Sequence, residues 1–153
     1  MTTSKKKVIA EKINLLMIKK IDKSELNAVL QILQQDSLRY CDGQYPEQGW
    51  IGNFLTDDKC FAFGFYVNER LTSVLLSEKL SFKGCMLWYI ATCVDAQGNG
   101  YGSKLLEYFE TYAKKNGVEW IFLNATEDSM KFYKKHRYIT SDFSKVFEHF
   151  KEL

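Results

Sequence analysis

The sequence predicts an α/β fold (an α+β sandwich): a mixed, mostly antiparallel sheet of about six to seven strands with helices on both faces. Three observations carry this. Three strand-like runs, "CFAFGFYV" (60–67), "LTSVLLSEKLSF" (71–82) and "CMLWYIATCV" (85–94), follow one another with short links, which is an antiparallel meander. The third run then meets a fourth, "VEWIFLNA" (118–125), only after an amphipathic helical pattern. A helix in that link makes the two strands parallel neighbours in a right-handed crossover. Helical patterns before and after the meander supply cover for both faces of the sheet.

In chain order, residues 1–12, with the Lys5–Lys7 run, read as a solvated N-terminal tail. That leaves residues 13–153 as one domain, the usual count for a chain of 153 residues. Ile13 to Ile21 reads as a strand. Asp22 opens a helix, with Glu25 as its capping-box partner. Leu26, Val29, Leu30 and Leu33 share one face of that helix. The segment 37–55 is irregular, with a short helix near its end. The meander follows, its links being Asn68–Glu69–Arg70 and Lys83–Gly84. The next helix buries Leu105, Leu106, Phe109, Tyr112 and Ala113, and Gly117 is a natural residue to end it. After 118–125 come a short helix at about 128–136 and a last strand in "FSKVFEHFKEL" (143–153).

Composition removes several function classes. A net charge of +2 gives no argument for nucleic acid. No apolar run reaches the roughly 20 residues of a membrane span, and no signal-peptide pattern opens the chain. The four cysteines (41, 60, 85, 93) include no C-x-x-C, and with only two histidines no metal set is evident. Free thiols in the cytoplasm are the expectation.

The stretch between the third and fourth strand runs is the chemically informative one. Gly98, Gly100 and Gly102 alternate at a strand-to-helix junction. The spacing does not fit G-x-x-x-x-G-K-[ST], and G-x-G-x-G after a meander is not the dinucleotide fingerprint. One reading is only a tight turn. The other is an anion cradle: residues without Cβ let backbone N–H groups turn inward, beside the unpaired N–H groups and positive dipole end of the next helix. That suits a pyrophosphate.

"QGNGYG" (Gln97 to Gly102) resembles Q/R-x-x-G-x-G, the coenzyme A signature of the GNAT family of N-acetyltransferases. "SMKFYKKHRY" (Ser129 to Tyr138) resembles that family's A-x-x-F-Y-x-x-x-G-F, and the element order is the family's too. The resemblance covers the chain from about Ile13 and implies the GNAT fold. It implies that Ala91 and Thr92 offer backbone groups to the pantetheine arm. It implies that Gln97, Gly98, Asn99, Gly100, Tyr101, Gly102 and Ser103 wrap the pyrophosphate. Thr126 falls where many members have an Asn touching the coenzyme, and Tyr133 on the tyrosine that protonates the departing thiolate. Among the departures, Gln97 stands where Arg is common and Ser129 where Ala is. His136 and Arg137 replace the usual Leu-Gly, and Arg137 cannot take φ > 0 as cheaply as Gly.

The resemblance therefore implies direct transfer of acetyl from acetyl-CoA, as co-substrate and without a metal, to a primary amine. A small cationic amine is the expected acceptor, a protein amine the second choice, and a homodimer is possible for the family. A non-catalytic acyl-CoA-binding or regulatory module of the same fold is the alternative. The amine must lose a proton before attack, yet 85–94 contains no carboxylate. Glu78 is the nearest candidate base, with a solvated strand-face Glu as the plainer reading. Asp95 reads as a turn residue and Cys93 as a buried structural thiol. Acceptor choice is expected in 37–55. In and beside it, Asp36, Asp42 and Glu47 could attract a cation, and Tyr40, Tyr45 and Trp50 could wall a pocket. Trp88 and Tyr89 alternate, so one of them could face the cleft.

Overall fold

The computed structural model describes residues 15–35, 46–140 and 149–153. The expected tail (1–12), Ile13 and Asn14 of the first expected strand, and 143–148 of the last lie outside these. The elements are β1 (Leu16–Lys20), α1 (Leu26–Leu33), α2 (Gln48–Thr56), β2 (Cys60–Val67), β3 (Arg70–Lys79), β4 (Gly84–Thr92), α3 (Tyr101–Lys115), β5 (Trp120–Leu123), α4 (Met130–Lys135), β6 (Ile139–Thr140) and β7 (His149–Glu152). They form a seven-stranded sheet in the order β1-β2-β3-β4-β5-β7-β6. Among the described residues only β4 and β5 pair in parallel, and the other pairs are antiparallel. The fold is the mixed, mostly antiparallel one expected.

Local chemistry accounts for most boundaries. Asp22 caps the 3₁₀ turn that leads into α1: its side chain accepts from Ser24 N at 2.8 Å, and Glu25 reaches back to Asp22 N at 3.1 Å. The loop between β2 and β3 is two residues, Asn68 and Glu69, both at positive φ (49° and 68°). That is the handedness a tight hairpin needs. α3 and α4 end alike. Gly117 N bonds Lys114 O and Val118 N bonds Ala113 O; Arg137 N bonds Lys134 O and Tyr138 N bonds Tyr133 O. Both are Schellman closures. Arg137 takes φ 69° where Gly117 takes 82°, so the turn expected to need glycine is made by arginine.

Strand alternation splits the core into two layers. Phe63, Phe65, Leu75 and Leu87 pack with Leu105, Leu106 and Phe109 of α3 and Tyr133 of α4. Tyr66, Val74, Leu76 and Ala91 pack with Val29 and Leu33 of α1 and Ile51 and Phe54 of α2. β5 is shorter than the expected 118–125, and the last expected strand is paired by β6, which the sequence did not announce. Among the described residues no helix is long and apolar enough to cross a membrane.

Candidate active site

β5 runs beside only the first part of β4. Their register covers Gly84↔Trp120 to Leu87↔Leu123, whereas β4 continues to Thr92. On its other edge, Leu76 stands opposite Tyr89 and Ser77 opposite Leu87, so Trp88 is an extra, bulged residue. A bulge bends a strand and re-aims its side chains. Residues two apart share a face in a regular strand. Here Leu87 belongs to the α3 layer and Tyr89 to the α2 layer.

The wedge past Leu87 is a cleft of about 250 Å³. One wall is β4 from Trp88 to Thr92, and the other carries Asn124, Thr126, Phe132 and Tyr133, with Gly102 at one end. A second hollow of about 220 Å³ continues past Thr92 and Thr126 to Gln35, Gln97 and Asp128. Ala91, Thr92, Gly102, Thr126 and Tyr133 of the sequence-derived set thus meet in one cleft, and Gln97 lies at its extension.

The glycine loop presents backbone, because its side chains are engaged elsewhere. Gln97 Nε2 donates to the Thr92 carbonyl at 3.1 Å, as does Gln35 Nε2 at 3.1 Å. Asn99 Nδ2 donates to Ala96 O at 2.9 Å. The Tyr101 ring stacks on Phe65 with centroids 4.4 Å apart. Ser103 Oγ lies 2.9 Å from His136 Nε2. Gly98 and Gly100 adopt φ of 83° and 76°, which L side chains resist. Gly100 caps α3, and its carbonyl accepts from Lys104 N at 3.1 Å. The N–H groups of Tyr101, Gly102 and Ser103 therefore lack intrahelical partners and add to the dipole at that end. A Cβ on Gly102 would stand 3.8 Å from Thr92 Oγ1 and 3.9 Å from the Phe132 ring. Glycine leaves the space between the first turn of α3, Thr92 and Phe132 unfilled by a side chain.

The remaining groups have defined states. Tyr133 is 6% exposed, and burial pushes its phenol well above the ordinary value, so it stays protonated as a donor on the cleft wall. Thr126 Oγ1 bonds Ser129 Oγ at 2.9 Å. Asp95 forms a two-pronged pair with Arg70 (2.9 and 3.1 Å) that pins the turn ahead of the glycine loop. The guanidinium holds its carboxyl down at about 2. Cys93 lies just past β4 and is only partly buried, not inside an apolar strand as expected. Burial, then Asp95, raises its pKa, so the thiol is protonated.

On the α2 side, Trp88 and Tyr89 both line the cleft; the bulge replaces the expected alternation. Glu78 is not simply solvated: its Oε2 accepts from Trp88 Nε1 at 3.1 Å. Trp50 packs edge-on to Trp88, while Glu47 is exposed at the start of α2. Asp36, Tyr40, Asp42 and Tyr45 lie outside the described residues. Sequence reasoning missed Gln35, Asn124 and Phe132 as neighbours of the cleft. Phe132 alone carried a signal, being the F of the F-Y pair beside Tyr133.

A family model described as "Acetyltransferase (GNAT) family" matches residues 22–138. No curated protein sequence matches the chain. Among solved structures, the PaiA N-acetyltransferase of Thermoplasma acidophilum, in complex with coenzyme A, superposes with a TM-score of 0.71 at 16% identity, over 91% of this chain and 99% of that one. The ribosomal-protein-S18-alanine N-acetyltransferase of Escherichia coli gives 0.71 at 16% identity, over 89% of each chain. An aminoglycoside acetyltransferase from an uncultured soil metagenomic sample, in complex with sisomicin, gives 0.62 at 17% identity, over 80% and 85%.

Proposed function

The chain belongs to the GNAT family of acetyltransferases, and we propose that it transfers the acetyl group of acetyl-CoA to a primary amine by direct attack within the cleft between β4 and β5. Acetyl-CoA supplies an acyl group activated as a thioester. Backbone N–H groups from Gly98 to Ser103 would hold its pyrophosphate. The edge of β4 at Ala91 and Thr92, with Thr126 opposite, would flank its arm. One observation carries the reading: a protonated buried phenol, Tyr133, and the glycine-opened start of α3, Gly102, line one cleft along the part of β4 that β5 does not cover.

The residues' roles follow. The cleft positions the two reactants, which is the largest contribution available to a reaction of this kind. β4 beyond Leu87 offers backbone N–H groups to negative charge developing on a carbonyl oxygen. Tyr133 donates its proton toward the departing sulfur. The amine arrives deprotonated or loses its proton through water, because β4 carries no carboxylate. A small cationic amine in the cytoplasm is the favoured acceptor and a protein amine the next. The chemistry requires no metal. The missing β4 carboxylate also favours a second reading, a non-catalytic acyl-CoA-binding module.

Calorimetric titration with acetyl-CoA, using NAD and ATP as controls, tests the premise of both readings. Saturable, selective binding near one site per chain is expected, and no binding of acetyl-CoA or a longer acyl-CoA overturns both. Thiol release with a panel of amines then separates enzyme from module.

A further inference from the structure

We infer that Trp88, held by Glu78 and backed by Trp50, selects the acceptor, and that the cleft takes a primary amine bearing a second cationic centre. This rests on the acetyl transfer proposed above and names the substrate class for it.

Trp88 occupies the bulge of β4, so its side chain leaves the regular alternation and joins the cleft wall. It is 40% exposed, an unusual state for so large an apolar ring beside a cleft. Its position is nonetheless fixed. The indole N–H donates to Glu78 Oε2 at 3.1 Å, and the ring meets Trp50 edge-on, centroids 5.3 Å apart and planes at 89°. Trp50 is fixed in turn by its own N–H, which donates to Tyr89 OH at 3.3 Å, and by Phe54, 5.0 Å away.

The chemistry of this corner is one-sided. The faces of tryptophan rings attract cations. Bonding to a neutral indole N–H leaves the charge of the Glu78 carboxylate uncancelled. Strand alternation turns the neighbouring Lys79 to the other face. A carboxylate joined to an indole favours an ammonium and repels an anionic acceptor. The attacking nitrogen cannot be that ammonium, because an ammonium has no lone pair. The charge recognised at Glu78 and Trp88 must therefore belong to a second amine, guanidine or similar group of the same acceptor.

The test compares 1,4-diaminobutane with 1-aminobutane, by calorimetry on the free protein and its coenzyme A complex, and by initial rates with acetyl-CoA. The wild type is expected to bind the diamine roughly tenfold more tightly than the monoamine. Glu78→Gln keeps an oxygen for the indole but removes the charge, and should abolish the preference by weakening diamine binding. Trp88→Phe keeps a ring and loses the bond to Glu78. It should weaken diamine binding by a larger factor than acetyl-CoA binding, and it stands in should Trp88→Ala not fold. Equal binding of the two amines by wild type, a preference that survives Glu78→Gln, or a Trp88→Phe effect confined to acetyl-CoA would each overturn the inference. A diamine preference in a protein that does not bind acetyl-CoA would keep this site and remove the transferase reading.

Discussion

His136 Nε2 and Ser103 Oγ share a 2.9 Å hydrogen bond that ties the end of α4 to the first turn of α3. The helix carrying Tyr133 and the loop carrying the glycines are thereby joined directly. Phe132, 4.9 Å from the His136 ring, packs against the same junction. This histidine stands where the resemblance to the family leads one to expect leucine, so the link belongs to this chain's own sequence.

The junction makes stability depend on pH. Burial lowers the His136 pKa below its ordinary 6.5; Glu110 and Glu107 oppose the shift, and Lys135 and Lys151 reinforce it. With the folded pKa depressed, the unfolded chain binds more protons in the window below about 6.5. The stabilisation is present above that pH and is lost as pH falls through the folded pKa. Melting temperatures from pH 7.5 to 5 should fall more steeply for wild type than for His136→Leu. Parallel curves would show that His136 contributes nothing to the slope.

Tyr133→Phe should lower kcat by roughly 10²-fold, in line with loss of a general acid, and leave acetyl-CoA affinity unchanged. Because burial holds the phenol protonated well above the ordinary range, wild-type kcat should show no alkaline limb from this group up to about pH 10. Steady-state rates over pH 6–10 for both proteins decide it.

Two neighbouring glycines should fail differently. Gly100 sits at φ 76° with nothing within 4 Å of an added Cβ. Gly100→Ala is strained by its backbone alone and should cost about 1–2 kcal/mol of stability. Gly102 has ordinary φ, and an added Cβ meets only van der Waals neighbours at 3.8–3.9 Å. Gly102→Ala should keep the stability within about 0.5 kcal/mol of wild type, yet weaken acetyl-CoA binding, since its methyl group stands in the cleft. Thermal melts and calorimetry on both variants separate the two effects.

Arg137→Gly should stabilise the protein. α3 and α4 close with the same hydrogen bonds, one around Gly117 and the other around Arg137. The accompanying contact is present too, Tyr138 against Tyr133 at 5.6 Å. Relieving the left-handed arginine should be worth about 1 kcal/mol, or roughly 2–4 °C in melting temperature. An unchanged or lower melting temperature would mean that the arginine side chain offsets its own strain.

Much of the fold was legible because its signals are local. Alternating apolar runs marked β2, β3 and β4, the Asp22–Glu25 box marked the entry to α1, and the stripe from Leu105 to Ala113 with Gly117 marked α3. β6 was not legible, because two residues carry no period; it exists because β7 offers it an edge. The glycine motif announced a tight strand-to-helix turn, made with positive φ at Gly98 and Gly100, because backbone freedom needs no distant partner.

The sequence by itself determined most of the elements, the helical cover on both faces of the sheet and the position of the glycine turn, since periodicity, capping and turn chemistry act over a few residues. Only the tertiary structure decided the cleft. Its opening depends on where β5 stops beside β4, and its aromatic wall on one extra residue at Trp88. Its rigidity depends on bonds spanning 57 residues from Gln35 to Thr92 and 33 from Ser103 to His136. A hydrogen bond across such a separation forms only when the whole sheet has brought its two ends together, and no local pattern records it.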